Sequence, residues 1–206
     1  MKQNYQLLLS KIIEEECQKG TRPSLLLHAC CAPCSSYVLE YLSQYFQITL
    51  FFYNPNIFPE EEYRFREEEL IRLVKEMRLS EQVSILSGSY RPEEFTEITQ
   101  GLEHLPEGGS RCAACYRLRL RASAEAAADG DFDFYTTTLS ISPYKNAEWL
   151  NAIGEEEAAR VGVRWLFSDF KKKNGYKRSC ELSAQYGLYR QNYCGCVYSK
   201  QAKNEQ

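Results

Sequence analysis

The sequence has no apolar run approaching the length of a membrane span. Its start, MKQNYQLLLSKIIEEE, does not read as a secretory signal: the apolar stretch is short, is broken by Lys11 and runs into acids. There is no internal repeat, no low-complexity segment and no linker that would split the chain. Positive charge is not in excess either. The 25 Lys and Arg stand against 28 Asp and Glu, a net charge of −3, so overall charge gives no argument for a nucleic-acid partner. With 206 residues, 44% hydrophobic and 26% charged, the composition predicts one soluble globular domain, with the cytoplasm as the expected compartment.

Cysteine is what the sequence has in plenty. Seven of the nine fall in three tight groups: Cys30, Cys31 and Cys34; Cys112 and Cys115; Cys194 and Cys196. Cys17 and Cys180 stand alone. In a reducing compartment such grouping points to metal or redox chemistry rather than structural disulfides.

Periodicity predicts alternating strands and helices. Residues 4–19 have helical spacing that Gly20 stops. SLLLHA (24–29), ITLFFYN (48–54), VSILSG (83–88), FDFYTTT (132–138) and VRWLFS (163–168) read as strands. Helices are expected from about Pro33, over 59–79, from Pro92, from Cys112 and over 146–160, with Ser179 capping a short one that ends at Gly187. The expected organisation is an N-terminal helical extension (1–23), one α/β domain (24–199) and a frayed tail (200–206). The fold class is α/β: a single doubly wound domain, Rossmann-like and HUP-like, with a parallel sheet of about five strands and helices on both faces.

In such a sheet the ligand site lies at the carboxyl ends of the strands. Cys30 and Cys31 fall there after strand one, SISPYK after strand four, and Asp169 with its lysines after strand five. Cys112 and Cys115 open the helix before strand four, so only folding can bring them in. Phosphate loops are missing: neither GxxxxGK[ST] nor GxGxxG occurs. The Ser-Gly-Gly-rich pyrophosphate loop of ATP-dependent tRNA-thiolating enzymes is missing too. Where it would stand, after strand one, this chain has ACCAPC.

Three chemistries are open to these thiols. CAPC (31–34) at a helix start matches a thioredoxin-type dithiol, since a helix N-terminus stabilises a thiolate. The chain is nearly twice the length such a domain needs, however, and four clustered cysteines would stay unexplained. Structural zinc wants two Cys-x-x-Cys knuckles, and only Cys112 with Cys115 looks like a free-standing one. An iron–sulfur cluster fits better, because its four thiolates can come from scattered segments, and Cys30, Cys31, Cys112 and Cys115 supply four. Cys34, Cys194 and Cys196 then suggest a second redox element, a disulfide or a second metal, for which Asp169 is a candidate oxygen ligand or else an ion-pair partner of its lysines. His28 suits either a sulfur contact or a hydrogen-bonded core position. Cys17 is expected in the core.

The motifs HACCAPC (28–34), FFYNPNIFPEEEY (51–63), SRCAACYRLRL (110–120), YTTTLSISPYKN (135–146) and DFKKKNGYKRSCELSAQYGLYRQNYCGC (169–196) together resemble the cobalamin-independent epoxyqueuosine reductases, the QueH family. The resemblance spans about Ser24 to Ser199. It implies two-electron reduction of the epoxide of epoxyqueuosine, at the wobble position of tRNA, to the alkene of queuosine, with loss of water. It implies a [4Fe–4S] cluster on Cys30, Cys31, Cys112 and Cys115. Cys194 and Cys196 are then either a redox-active disulfide or ligands of a second, mononuclear iron, with Cys34 and Asp169 as further candidates. Catalytic roles are expected at Cys194, Cys196 and Asp169. The partners are tRNA, through its anticodon loop, and an electron donor, with no membrane. Lys171, Lys172, Lys173, Lys177 and Arg178 are then candidates for phosphate contacts, and Tyr144 and Tyr176, with Tyr189 and Tyr193, for stacking on unpaired bases. Arg117, Arg119 and Arg121 spread around a helix and form no single basic face.

Overall fold

The computed structural model describes residues 3–204, the last four by their backbone alone. β1 (Ser24–His28), β2 (Gln47–Phe52), β3 (Val83–Ser87), β4 (Phe134–Thr137) and β5 (Arg164–Trp165) form one sheet in the order β3-β2-β1-β4-β5. All four pairings are parallel. The chain therefore winds outward from β1 to β3, crosses back, and continues outward through β4. The switch point lies between β1 and β4, where His28 pairs with Phe51 on one side and Thr137 on the other.

Both faces of the sheet are covered, which is why the strands read as nearly continuous apolar runs. Leu25, Leu27, Ile48, Leu50 and Phe52 point to one face. There they meet Val38, Leu39 and Leu42 of α2 (Ala32–Leu42), Leu70 and Leu73 of α3 (Glu60–Glu76), and Leu9 and Ile13 of α1 (Tyr5–Gln18). Leu26, Phe51 and Tyr135 point to the other face. Their partners are Leu120 and Ala124 of α5 (Ser110–Asp129) and Leu150 and Ile153 of α6 (Ala147–Val161). α4 (Pro92–Thr99), α7 (Gly175–Gln185) and α8 (Val197–Asn204) complete the fold. Of the tail expected at 200–206, backbone helix reaches Asn204, and residues 205–206 lie outside the described ones.

Three local expectations are corrected. The fifth strand, expected over 163–168, pairs only at Arg164 and Trp165, with Leu166 N–H still donating to the Tyr135 carbonyl. Ser168 instead exchanges hydrogen bonds with the Asn151 carboxamide, so the chain leaves the sheet to follow α6. α7 starts at Gly175, not at Ser179, which lies inside it. A Cβ at Gly175 would stand 1.9 Å from the Phe170 carbonyl, so only glycine admits the turn that begins the helix there. Cys17 is exposed rather than packed, because Leu9 and Ile13 define the buried stripe of α1. No helix of the described residues is long and apolar enough to cross a membrane.

Candidate metal centre

The first thiol group grows out of the β1–α2 junction. His28 ends the strand and Cys31 is the N-terminal cap of α2, with extended backbone and Pro33 in the first turn. The Sγ atoms of Cys30, Cys31 and Cys34 all lie within 4.8 Å of one another, a group able to hold a metal ion. Thiols so close oppose one another's ionisation. Cys31 is held well below the ordinary thiol value by hydrogen bonds from Cys30 and Cys34, against the cost of burial, with the nearby Arg66 adding to the effect. Cys30 and Cys34 are correspondingly pushed up.

The second group lies across from it. Cys112 and Cys115 occupy the first turns of α5, three residues apart and so on one helical face. Gly108 N–H donates to Cys112 Sγ at 3.3 Å. Arg111 holds the preceding loop by donating to the carbonyls of Glu103 (2.6 Å) and Leu105, and lies over the Tyr198 ring. Cys194 and Cys196 come from the segment between α7 and α8. Gly195 has φ +114°, and its Cα approaches Arg66 and Ile57 so closely that a Cβ would stand 3.0 Å from each. Phe58 N–H ties this segment down by donating to the Gly195 carbonyl. Burial pushes the Cys115 thiol up to about 11. The Cys194 thiol is held well below its ordinary value by the neighbouring Cys196 thiol and by Lys145, against the cost of burial.

Besides Arg111, three buried cations face these sulfurs. Arg119 is 2% exposed; it donates to Asn54 Oδ1 at 2.5 Å and to His28 Nε2 at 3.3 Å. Burial opposes its charge, but Cys115, Cys30 and Cys194 surround it and keep it cationic. Lys145 is 8% exposed, with Nζ 3.1 Å from Cys194 Sγ and 3.4 Å from Glu107. Burial would depress its ammonium, yet Cys194, Tyr116 and Glu107 override that and hold it well above the ordinary lysine value. Arg66 is 2% exposed, pairs with Glu62 at 2.7 Å and donates to the Cys194 carbonyl at 3.2 Å. A cleft of about 490 Å³ opens over Cys30, Cys31, Cys34 and Cys194 at the sheet's switch point.

A family model described as epoxyqueuosine reductase QueH matches residues 25–202. The chain belongs to the QueH family. A relative of that name from Streptococcus pyogenes serotype M1 is 42% identical over 198 residues, covering 95% of this chain and 78% of its own. Another, from Staphylococcus epidermidis, is 41% identical over 200 residues, covering 95% and 84%. The one from Thermotoga maritima is 33% identical over 188 residues, covering 88% and 93%. Among solved structures, an NMN synthetase from Francisella tularensis superposes with a TM-score of 0.48 at 10% identity, over 100% of this chain and 88% of that one. The fold assignment rests on the strand order rather than on that likeness.

Within this QueH chain the residues singled out from sequence divide into two sets. Cys30, Cys31, Cys34 and Cys194 line the cleft with Tyr144 and Tyr176, and Cys112, Cys115, Cys194 and Cys196 line a smaller pocket that shares Arg119, Lys145, Asn56 and Cys194 with it. Asp169, Lys171, Lys172 and Lys173 instead line a second cavity, on the far side of Tyr144 and Lys145 and against α1. There Asp169 accepts from Lys171 at 2.5 Å, and Lys173 donates to Ser10. Lys177 is exposed, and Arg178 pairs with Glu40 at 2.7 Å and Glu181 at 3.3 Å. Tyr193 lies under the Arg66 guanidinium and Tyr189 stacks edge-on against Phe65. His28 is a core histidine: Thr137 meets Nδ1 at 2.8 Å, Arg119 and the Tyr53 carbonyl meet Nε2, and burial drives its pKa down to about 3. It touches no sulfur through a hydrogen bond; it positions Arg119.

Sequence reasoning missed Arg66, Arg119, Lys145 and Asn56. For Arg119 a signal exists. It stands four residues after Cys115 and seven after Cys112, on their helical face. Arg117 and Arg121 point the other way and pair with Glu157 of α6.

Proposed function

We propose that the chain is a cytoplasmic oxidoreductase that reduces the epoxide of epoxyqueuosine, at the wobble position of tRNA, to the alkene of queuosine, as the names of its relatives imply. The conversion takes up two electrons and two protons and releases one water. The observation that carries the reading is the convergence of two thiol groups and three buried cations on one cleft at the switch point of the sheet.

The donor set suits a [4Fe–4S] cluster on Cys30, Cys31, Cys112 and Cys115. The sulfurs border two neighbouring cavities that share Cys194, Arg119, Lys145 and Asn56, and Arg66, Arg119 and Lys145 offset the negative charge of thiolates that burial would otherwise penalise. Such a cluster supplies electrons one at a time. Cys194 and Cys196, with Cys34, form the second redox element. As a dithiol closing to a disulfide, Cys194 and Cys196 release two electrons and two protons, the amount the epoxide takes up. As ligands they hold a second iron, and Asp169 joins it only by leaving Lys171. An external electron donor resets the site.

The chain's own side chains supply the rest. Lys145 holds a proton at Nζ beside Cys194 and delivers it to the epoxide oxygen as the C–O bond breaks. Arg119, fixed by His28 and Asn54, keeps the thiolates charged. Tyr144, 77% exposed, and Tyr176 stand at the cleft mouth and stack on anticodon bases. Lys171, Lys172, Lys173 and Lys177 follow the strand ends and take phosphates. Arg178 does so in exchange for Glu40. The helical extension before Ser24 forms one wall of the lysine-lined cavity.

Iron, zinc and acid-labile sulfide are to be measured on protein purified without oxygen, followed by a reduction assay on epoxyqueuosine tRNA. About four sulfides and four or five irons per chain, with turnover, are expected. Zinc without sulfide, or no turnover by protein that carries the cluster, overturns the reading. Normal turnover by Cys194→Ala and Cys196→Ala variants with intact clusters removes the second redox element.

A further inference from the structure

The motif FFYNPNIFPEEEY places two asparagines in the loop after β2, and the thiol chemistry uses only the first. Asn54 is consumed: its Nδ2 donates to the Ala29 carbonyl and its Oδ1 accepts from Arg119. Asn56 is 2% exposed and lines the space between the two thiol groups, yet its Oδ1 has no hydrogen-bond partner. Its backbone is held in place, since Ile57 N–H donates to the Asn54 carbonyl and Phe58 N–H to the Gly195 carbonyl. On the same cleft Gln191 repeats the pattern. Its Oε1 is likewise buried without a partner.

Two buried acceptors without donors are costly to leave unpaired. No donor among the described residues hydrogen-bonds either oxygen: on the cleft Arg119 is engaged by Asn54 and His28, and Arg66 by Glu62 and the Cys194 carbonyl. Thiolate sulfurs are themselves acceptors. The partner is therefore a ligand that brings two hydrogen-bond donors deep into the cleft. We propose that Asn56 and Gln191 accept hydrogen bonds from the two ring hydroxyls of the cyclopentane that carries the epoxide. This rests on the reductase reading above.

The depth of the two oxygens selects the hydroxyls over the other donors of that nucleotide. On a five-membered ring the two hydroxyl oxygens lie two and three bonds from the nearest epoxide carbon, so the groups that bind them lie close to the thiols. The secondary amine that links the ring to the base is cationic. It suits the Glu107 carboxylate on the cleft wall better than neutral oxygens beside Arg66 and Arg119. Holding both hydroxyls fixes which ring face meets the sulfurs, so Asn56 and Gln191 are specificity and positioning residues. A site built to accept from a hydroxyl rejects the analogue that lacks it, since the buried oxygens then stay unpaired.

The test pairs two ligands with four metal-loaded proteins. An anticodon stem-loop bearing epoxyqueuosine and one bearing its ring-deoxy analogue are titrated calorimetrically into the wild type, Asn56→Leu, Asn56→Asp and Gln191→Met, with iron content and thermal stability checked for each. The wild type should prefer the dihydroxy ligand by at least about 10-fold. Asn56→Leu and Gln191→Met should lose most of that preference while binding the deoxy ligand within about 2-fold of wild type, and Asn56→Asp, which keeps an acceptor, should retain it. Equal weakening of both ligands, or a preference that survives Asn56→Leu, overturns the proposal. Binding with the expected preference but without reduction removes the reductase reading and leaves the recognition. Reduction without any preference does the reverse.

Discussion

Buried charge is handled on two plans in this molecule. Between α5 and α6, Glu157 is 1% exposed and pairs with Arg117 at 3.2 Å, Arg121 at 3.3 Å and Arg160 at 2.7 Å, three guanidiniums that themselves stay largely in water. At the cleft the order is inverted: the cations Arg66, Arg119 and Lys145 are buried, and cysteines join Glu62 and Glu107 in supplying the counter-charge. The first plan is closed, because a carboxylate surrounded by arginines keeps its charge at every physiological pH. The second is conditional, because a thiol can be protonated, oxidised or bound to a metal. A structural ion cluster and a reactive one thus differ in whether the buried partner can change state.

Four variants break or sharpen this contrast. The largest effect is expected from Arg119→Met, which strips donors from His28 and Asn54 and a counter-charge from the thiolates. It should cost about 3–5 kcal/mol in denaturant unfolding and lower the bound iron; wild-type stability would show that the thiolates do not depend on it. Next, Cys31→Ser removes the sulfur on which the first group's charge settles. Iron and sulfide should fall to near zero and reductase turnover by at least about 100-fold, a loss read by metal analysis and the tRNA assay.

Glu157→Gln should cost about 1–3 kcal/mol and leave metal content alone. Burial opposes ionisation of Glu157, but Arg160 and Arg121 hold its carboxyl below the ordinary 4.5. Its stabilisation is therefore present above that value and lost as pH falls through the lower folded value. The variant's stability should fall less steeply across that acid window, and a parallel decline in both proteins would break the contrast. The smallest effect is expected from Lys145→Met in metal-free protein. Cys194 loses a cation that favours its thiolate, so its alkylation should shift to higher pH. An unmoved profile would assign the depression to Cys196 and Arg119.

Much of this was legible in the residues. SLLLH and ITLFF are apolar on alternate positions toward both faces, so buried parallel strands follow from composition, and Cys30 and Cys31 had to fall at a strand's carboxyl end. Helical spacing put Cys112 beside Cys115. The second cavity was not legible: it separates Asp169 and the lysines from the thiols because β5 ends at Trp165 and the chain turns along α6. Arg66 was hidden inside EEEYRFREEE, whose acids mark a solvated helix, although one turn of that helix faces the Cys-Gly-Cys segment.

The sequence by itself determined the α/β alternation, the local thiol groups and the family, because periodicity, helix starts and motifs are encoded over a few neighbouring residues. Tertiary packing settled which thiols share a cavity, which basic side chains are buried among them, and which carboxamide oxygens are left without a donor. Those depend on desolvation and on distances of a few ångströms between segments far apart in the chain, and no local pattern carries such distances.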